Sequence, residues 1–253
     1  MYIVNLVRSE FIKMKHTSFY AIHICIPLIG SLIFLLYFRT SKINSAMKVQ
    51  SYLEVLSIVF PLLISIITSQ AMKEERDAGS YKEILSSQYG RISCIIGKMS
   101  MLFICGFSSL IIAISTFVFS MKYILNQNYI SLGLEFYIKS TLIIFGCQII
   151  MYIFHLWLNL RFNSGISMLI GTFESMLSAL MMTGLGDNIW QWLPSGLNIR
   201  LNQYFILKNV SLSLFYKIND NISLGIRNSI IFTIISVIIF MCWFKKYDAR
   251  IEN

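Results

Sequence analysis

Residues 19–38 read FYAIHICIPLIGSLIFLLYF, twenty residues without a single Lys, Arg, Asp or Glu. A helix rises about 1.5 Å per residue, so a run of this length covers the roughly 30 Å of a bilayer's hydrocarbon core. Five more runs are comparably long and apolar, each with at most one charged residue: 53–70, 95–119, 140–158, 166–184 and 226–244. None alternates apolar and polar residues with period two, so the runs read as helices and not as barrel strands. The expected fold class is all-α, a polytopic membrane protein with six transmembrane helices.

Composition agrees. Of 253 residues, 56% are hydrophobic and only 13% charged, against about 25% charged in soluble domains; the mean hydropathy is +0.68. Three prolines, no Gly/Ser linker and no internal repeat leave one membrane domain spanning 1–253. The net charge of +9 resides in short clusters between apolar runs. That pattern is membrane topology, not a nucleic-acid face. With the amino terminus inside, the inner segments hold twelve of the 21 Lys and Arg residues, and three of the outer nine fall in the long segment 185–225. Long loops weigh little in the positive-inside rule, so both termini are expected in the cytoplasm of a bacterial cell. The five cysteines form no CxxC pair, so neither a disulfide framework nor a zinc site is expected.

Residues 1–18 differ from the spans. Ile3, Val7, Phe11 and Met14 recur on one helical face, with Asn5, Arg8, Ser9, Glu10 and Lys13 around the rest. Such a helix is expected to lie in the membrane interface with its basic residues toward anionic headgroups. The apolar run that follows has full span length and no small-residue cleavage site, which argues against a cleaved signal peptide.

Three places carry candidate function. The first is the segment 71–94, which contains MKEERDAGSYKEILSSQYGR. Lys73, Glu74, Glu75, Arg76 and Asp77 are charged in succession, Gly79 follows, and Tyr81, Lys82, Ile84 and Leu85 belong to two helical turns with an apolar side. This reads either as a cytoplasmic coupling helix that docks a soluble partner or as a solvated loop whose charges keep it out of the bilayer. The second is Glu174, near the middle of the fifth span, where an ionised carboxylate costs at least about 2.5 kcal/mol on insertion scales. Ser167, Gly171, Glu174, Ser175 and Ser178 form a small, polar stripe, while Leu169, Phe173, Met176 and Leu180 lie elsewhere on the helix. The stripe should face the bundle interior or a partner subunit. Glu174 is then a transport-path or gating contact, or else a protonated packing residue. The third is GLGDNIWQWLPSGLNIRL at 184–201, with Trp190, Trp192 and Pro194. It reads as an aromatic belt or as a bent, re-entrant hairpin in the outer segment.

Enzyme signatures are missing. The chain has no GxxxxGK[ST] phosphate loop, no HExxH and no GxSxG. Neither a cofactor nor catalysis is expected of this chain, and ATP could not be bound by that route. The three histidines are scattered, although His155 could reach a polar neighbour.

These residues together resemble the permease subunits of ABC-2-type transporters, and within them the lantibiotic-immunity (bacteriocin self-protection) permeases. The likeness rests on SEFIKMKHTSFY at 9–20, on Glu74, Glu75, Gly79 and Lys98, on the Trp190-to-Pro194 stretch with Arg200 and Leu201, and on the closing residues Phe244 to Lys246. Ser195, Gly196 and Leu197 depart from it, because more aromatic character is expected after Pro194. The resemblance implies a six-helix permease working with two copies of an ATP-binding subunit, which holds the ATP and Mg, and with a second, related permease. Its cargo would be antimicrobial peptides drawn from membrane lipid and released outward. Two other readings stay open: an ABC-2 permease for a drug, lipid or ion, and a membrane-embedded enzyme using Glu174 and His155 as an acid–base pair. The outer segments are net basic, so recognition of a cationic peptide would have to be local, or fall to the partner permease, or be directed at an anionic lipid–peptide complex.

Overall fold

The structure is a computed structural model that describes residues 2–125, 132–213, 215 and 222–248. Residue 214 and residues 216–221 of the outer segment, and Met1 of the amino-terminal helix, lie outside the described residues. Among the described residues the regular elements are helices, without strands. They are α1 (Tyr2–Lys13), α2 (Phe19–Thr40), α3 (Ser45–Asp77), α4 (Lys82–Leu85), α5 (Arg91–Tyr123), α6 (Gly133–Arg161), α7 (Ser164–Met181), α8 (Pro194–Val210) and α9 (Ile222–Lys246). Six of them, α2, α3, α5, α6, α7 and α9, are long and apolar enough to cross a membrane.

Helix ends follow local chemistry more than hydropathy. Asn44 and Asn163 cap α3 and α7 by accepting from the backbone N–H groups of Met47 and Ile166, each at 2.9 Å. These caps satisfy donors that the first turn leaves orphaned. Both α3 and α5 have 33 residues, or about 50 Å of helix, well beyond the hydrocarbon core. The charged residues 73–77 are therefore not a loop but the last turn of α3. The apolar window of 53–70 marked only the part of the helix that lipid must cover; backbone pairing continues past it.

The bundle is built around α3 and α6, whose most apolar stretches are 56% buried, against 17% for α9 and 28% for α2. α3 packs on α7, α6 and α8, α2 packs on α5, and α1 lies on α5. Two close approaches fix the centre. A Cβ on Gly171 would overlap the Ser65 side chain, so glycine is what lets α7 lie against α3. Pro61 lacks an N–H and so frees the carbonyl of Ser57 four residues earlier. Asn198 of α8 donates to that carbonyl at 3.2 Å.

Segment 185–225 holds more than a loop. Two 3-10 turns, Gly184–Gly186 and Trp190–Trp192, lead into α8, with Pro194 in its first turn. α8 is buried at Ser195, Gly196, Leu197, Asn198, Ile199, Leu201, Asn202 and Ile206. Ser178 of α7 donates to the Ser195 carbonyl at 3.0 Å, so the chain turns back alongside α7 as α8 begins. Arg200 reaches back to the Met181 and Thr183 carbonyls and to Asp187. It thereby satisfies acceptors exposed where α7 ends.

Candidate functional site

At the end of the bundle where α1 lies, four elements converge on an ion cluster. Lys98 of α5 has no exposed surface, and its Nζ lies 2.5 Å from Glu10 Oε2 and 2.9 Å from Glu75 Oε1. Lys13 of α1 pairs with Glu75 at 2.8 Å, with Glu83 of α4 at 2.9 Å and with Glu10 at 3.0 Å. Burial works to lower the Lys13 pKa, but the carboxylates of Glu10, Glu75 and Glu83 outweigh it and hold the ammonium above the ordinary lysine range.

The expected orientation of α1 needs correcting here. Glu10 and Lys13 were expected on its outward, headgroup-facing side. Glu10 is buried, Met14 is buried, and Leu6 packs against Gly97 of α5. Ile3, Val4 and Ile12 are instead exposed. Ion pairing in a protected site won over the simple apolar-face rule.

The cluster also sorts the ten residues of the coupling segment. Lys73, Asp77 and Lys82 are exposed, and Glu74 and Gly79 are partly so. Glu75 points inward to Lys98, and Arg76 reaches Ser164 at the start of α7 at 3.3 Å. Tyr81 and Ile84 are buried, Leu85 is half-buried, and the Tyr81 hydroxyl donates to the Asn159 carbonyl at 3.4 Å. Burial raises the Tyr81 pKa. Ser80 and Tyr81 adopt left-handed φ values of 52° and 66°, which turn the chain tightly from α3 into α4.

The second polar site lies between α6 and α7. Glu174 is 9% exposed, and its Oε2 lies 2.8 Å from Nε2 of the fully buried His155. The other imidazole nitrogen is 3.0 Å from the Ser167 hydroxyl, to which Asn159 Nδ2 also donates at 3.0 Å. Ser175 donates to the Ile58 carbonyl of α3, and Ser178 to the carbonyls of Glu174 and Ser195. Ser167, Gly171, Glu174 and Ser178 thus line one buried face of α7, while Leu169, Phe173, Met176 and Leu180 are exposed on the other.

Glu174 also lines an open groove of about 730 Å³. Its walls are mainly apolar, with Phe154 and Trp157 from α6, Phe173 from α7, Pro194 from the start of α8, and Phe240 and Trp243 from α9. Pro194 therefore stands beside Glu174, but the two tryptophans do not. Trp190 is 2% exposed and packs on Tyr204 and beneath Gly225, whereas Trp192 is 60% exposed. Sequence reasoning missed Asn159 and the buried role of Lys98. Asn159 had a detectable signal, one helical turn beyond His155 on the same face. Among the described residues no group of His, Cys, Asp or Glu could hold a metal ion, and all five cysteines are free.

Among the described residues, a strand-free bundle with six helices apolar enough to span a bilayer marks a multi-pass membrane protein with polar residues turned inward. A family model described as ABC-2 family transporter protein matches residues 6–178, more than half of the chain. The chain belongs to that family, as its membrane-embedded transport subunit and not as an enzyme. Both polar sites lie within the matched stretch. Among curated proteins no match was found.

Proposed function

We propose that the chain is the permease of an ABC-2 exporter that clears lantibiotic-type antimicrobial peptides from the plasma membrane of a bacterium, with both its termini cytoplasmic. The observation that carries this reading is Glu174, set in the wall of an apolar groove. Such a wall accepts the hydrophobic side of an amphipathic molecule, and the carboxylate accepts a cationic group, which answers the net basic character of the outer segments. An ATP-binding subunit, two copies per transporter, supplies ATP, Mg and hydrolysis. It docks on the tip formed by Lys73, Asp77 and Lys82, which are exposed, and Glu74, which is partly so. A second, related permease completes the membrane part. The same groove would admit another hydrophobic cargo, such as a drug, and the test separates the two.

Survival against a lantibiotic and against a cationic drug is measured beside copurification of the subunits. Glu174→Gln retains shape and removes charge, and it should abolish protection while the complex assembles. Glu174→Leu should also lower yield, because His155 loses its partner. Full protection by the Gln variant refutes the role of the charge. Protection against the drug alone in wild type reassigns the cargo.

A further inference from the structure

Glu174 is the only ionisable side chain lining the groove among the described residues. Its partner His155 has no exposed surface and is held at both nitrogens. We propose that this pair binds an amphiphilic cation by proton exchange: the unliganded pair holds one proton, and the incoming cationic group takes the Glu174 carboxylate while that proton leaves to water. This rests on the reading of the groove as the cargo site.

The charge balance favours the exchange. Carboxylate, imidazole and one shared proton make a neutral unit, whether written as imidazolium with carboxylate or as imidazole with carboxylic acid. Adding a cation without losing the proton would leave a net positive charge in a low-dielectric site. Releasing the proton restores neutrality: one cation in, one proton out, and no bond other than N–H or O–H is broken.

The surroundings serve both states of the imidazole. The Ser167 oxygen can donate to Nδ1 when the ring is neutral, leaving Nε2–H for the carboxylate, and can accept from Nδ1–H when the ring is charged. Asn159, bonded to the same oxygen and to the His155 carbonyl, fixes the hydroxyl between them. Several ionisable groups on the elements packed around the pair have partners of their own. Glu75 of α3 and Lys98 of α5 pair with each other, Arg76 of α3 bonds Ser164, and Arg200 of α8 bonds Asp187. The Tyr81 hydroxyl donates to the Asn159 carbonyl. On α9, the wall facing the pair offers Ser236, Phe240 and Trp243.

The test uses the full chain in lipid nanodiscs and radiolabelled tetraphenylphosphonium, whose charge does not change with pH. Affinity should rise by about tenfold per pH unit while the unliganded pair still carries its proton, and level off above that range. Calorimetry in two buffers of different ionisation enthalpy should read about one proton released per ligand below that plateau. Glu174→Gln should abolish binding, and His155→Gln, which retains a hydrogen bond to Glu174, should still bind but level off at a different pH from wild type. If Glu174→Gln abolishes binding but wild-type affinity is flat with pH and no proton is released, exchange is overturned and the groove reading stands. Binding that ignores Glu174→Gln, or no binding at any pH, overturns the groove reading as well. Should His155→Gln fail to fold, the wild-type calorimetry decides alone.

Discussion

Replacing Lys98 with Met tests whether the ion cluster anchors α1 and α4. Methionine retains the length and apolar stem of lysine but removes the ammonium that lies 2.5 Å from Glu10 and 2.9 Å from Glu75. At an effective dielectric of about 20, each of those contacts carries about 6 kcal/mol of Coulomb attraction. Desolvation of three buried charges takes back much of it, so the pairs are not worth their Coulomb sum. The informative quantity is the cost of breaking them. Glu10 and Glu75, each 4% exposed, would remain buried with only Lys13 between them. Breaking a buried pair by removing one partner costs about 3–5 kcal/mol, and for a chain of this size that lowers the unfolding midpoint by about 10 °C. The assay is thermal unfolding in detergent, with thiol labelling of a Met14→Cys reporter, whose site is fully buried beside the cluster. Labelling should accelerate in the Lys98→Met background. Adding Glu75→Gln removes one of the stranded charges and should restore at least half of the lost stability. A midpoint within about 2 °C of wild type would refute the anchoring role, given the 3–5 kcal/mol expected.

Lys13 provides a pH test. Its folded pKa is raised, so its contribution to stability is fully present below the unfolded lysine value of about 10.4 and is lost as pH climbs through the folded value. The midpoint difference between wild type and Lys13→Met should hold steady from about pH 6 to 9 and shrink only above about pH 10.4; a difference that disappears near neutrality contradicts the sign. Gly171→Val should force α3 and α7 apart at Ser65, costing about 1–3 kcal/mol, read as a lower yield of monodisperse protein; a wild-type yield and midpoint would show that the contact relaxes. Glu74→Lys, on the partly exposed side, should weaken copurification of the ATP-binding subunit at an unchanged unfolding midpoint, whereas Glu75→Lys should lower the midpoint with no partner present. Equal behaviour of the two variants would erase the division of the charged turn into docking and anchoring residues.

The six spans were legible because lipid imposes one simple demand, about 20 apolar residues per crossing. Where that demand stops, so does the signal. The last turn of α3 runs on through 73–77 because capping and hydrogen bonding, not hydropathy, govern a helix that has left the hydrocarbon. α8 was illegible for the opposite reason. Its sequence PSGLNIRLNQYFILKNV mixes asparagines with apolar residues, since it is sheltered by other helices and not by lipid. One of those asparagines, Asn198, is matched to the Ser57 carbonyl that Pro61 frees. The two partners are 141 residues apart, and no local pattern announces such a pair.

The two polar sites differ in how much a reader of the sequence could see, and the difference is physical. Glu174 stood out because it interrupts an apolar helix near its middle, where a charge is costly. Lys98 obeys the same energetics, but it lies close to the start of its apolar run, where lysine ordinarily extends toward the interface. Hydropathy therefore let it pass as a topology charge, although its exposure is 0%. In the run 73–77, five charged residues look equivalent as letters, yet helical phase turns Glu75 inward beside buried Ala71 and Met72 while leaving Lys73 and Asp77 outside. What gives Glu75 its place is Lys98, on a different helix, and what holds Lys98 is Glu10, on a third. A buried charge is thus a statement about a partner. Sequence can show that a charge is costly where it stands, as for Glu174, but His155 becomes its partner only once α6 packs on the α7 that the contact of Gly171 with Ser65 seats against α3.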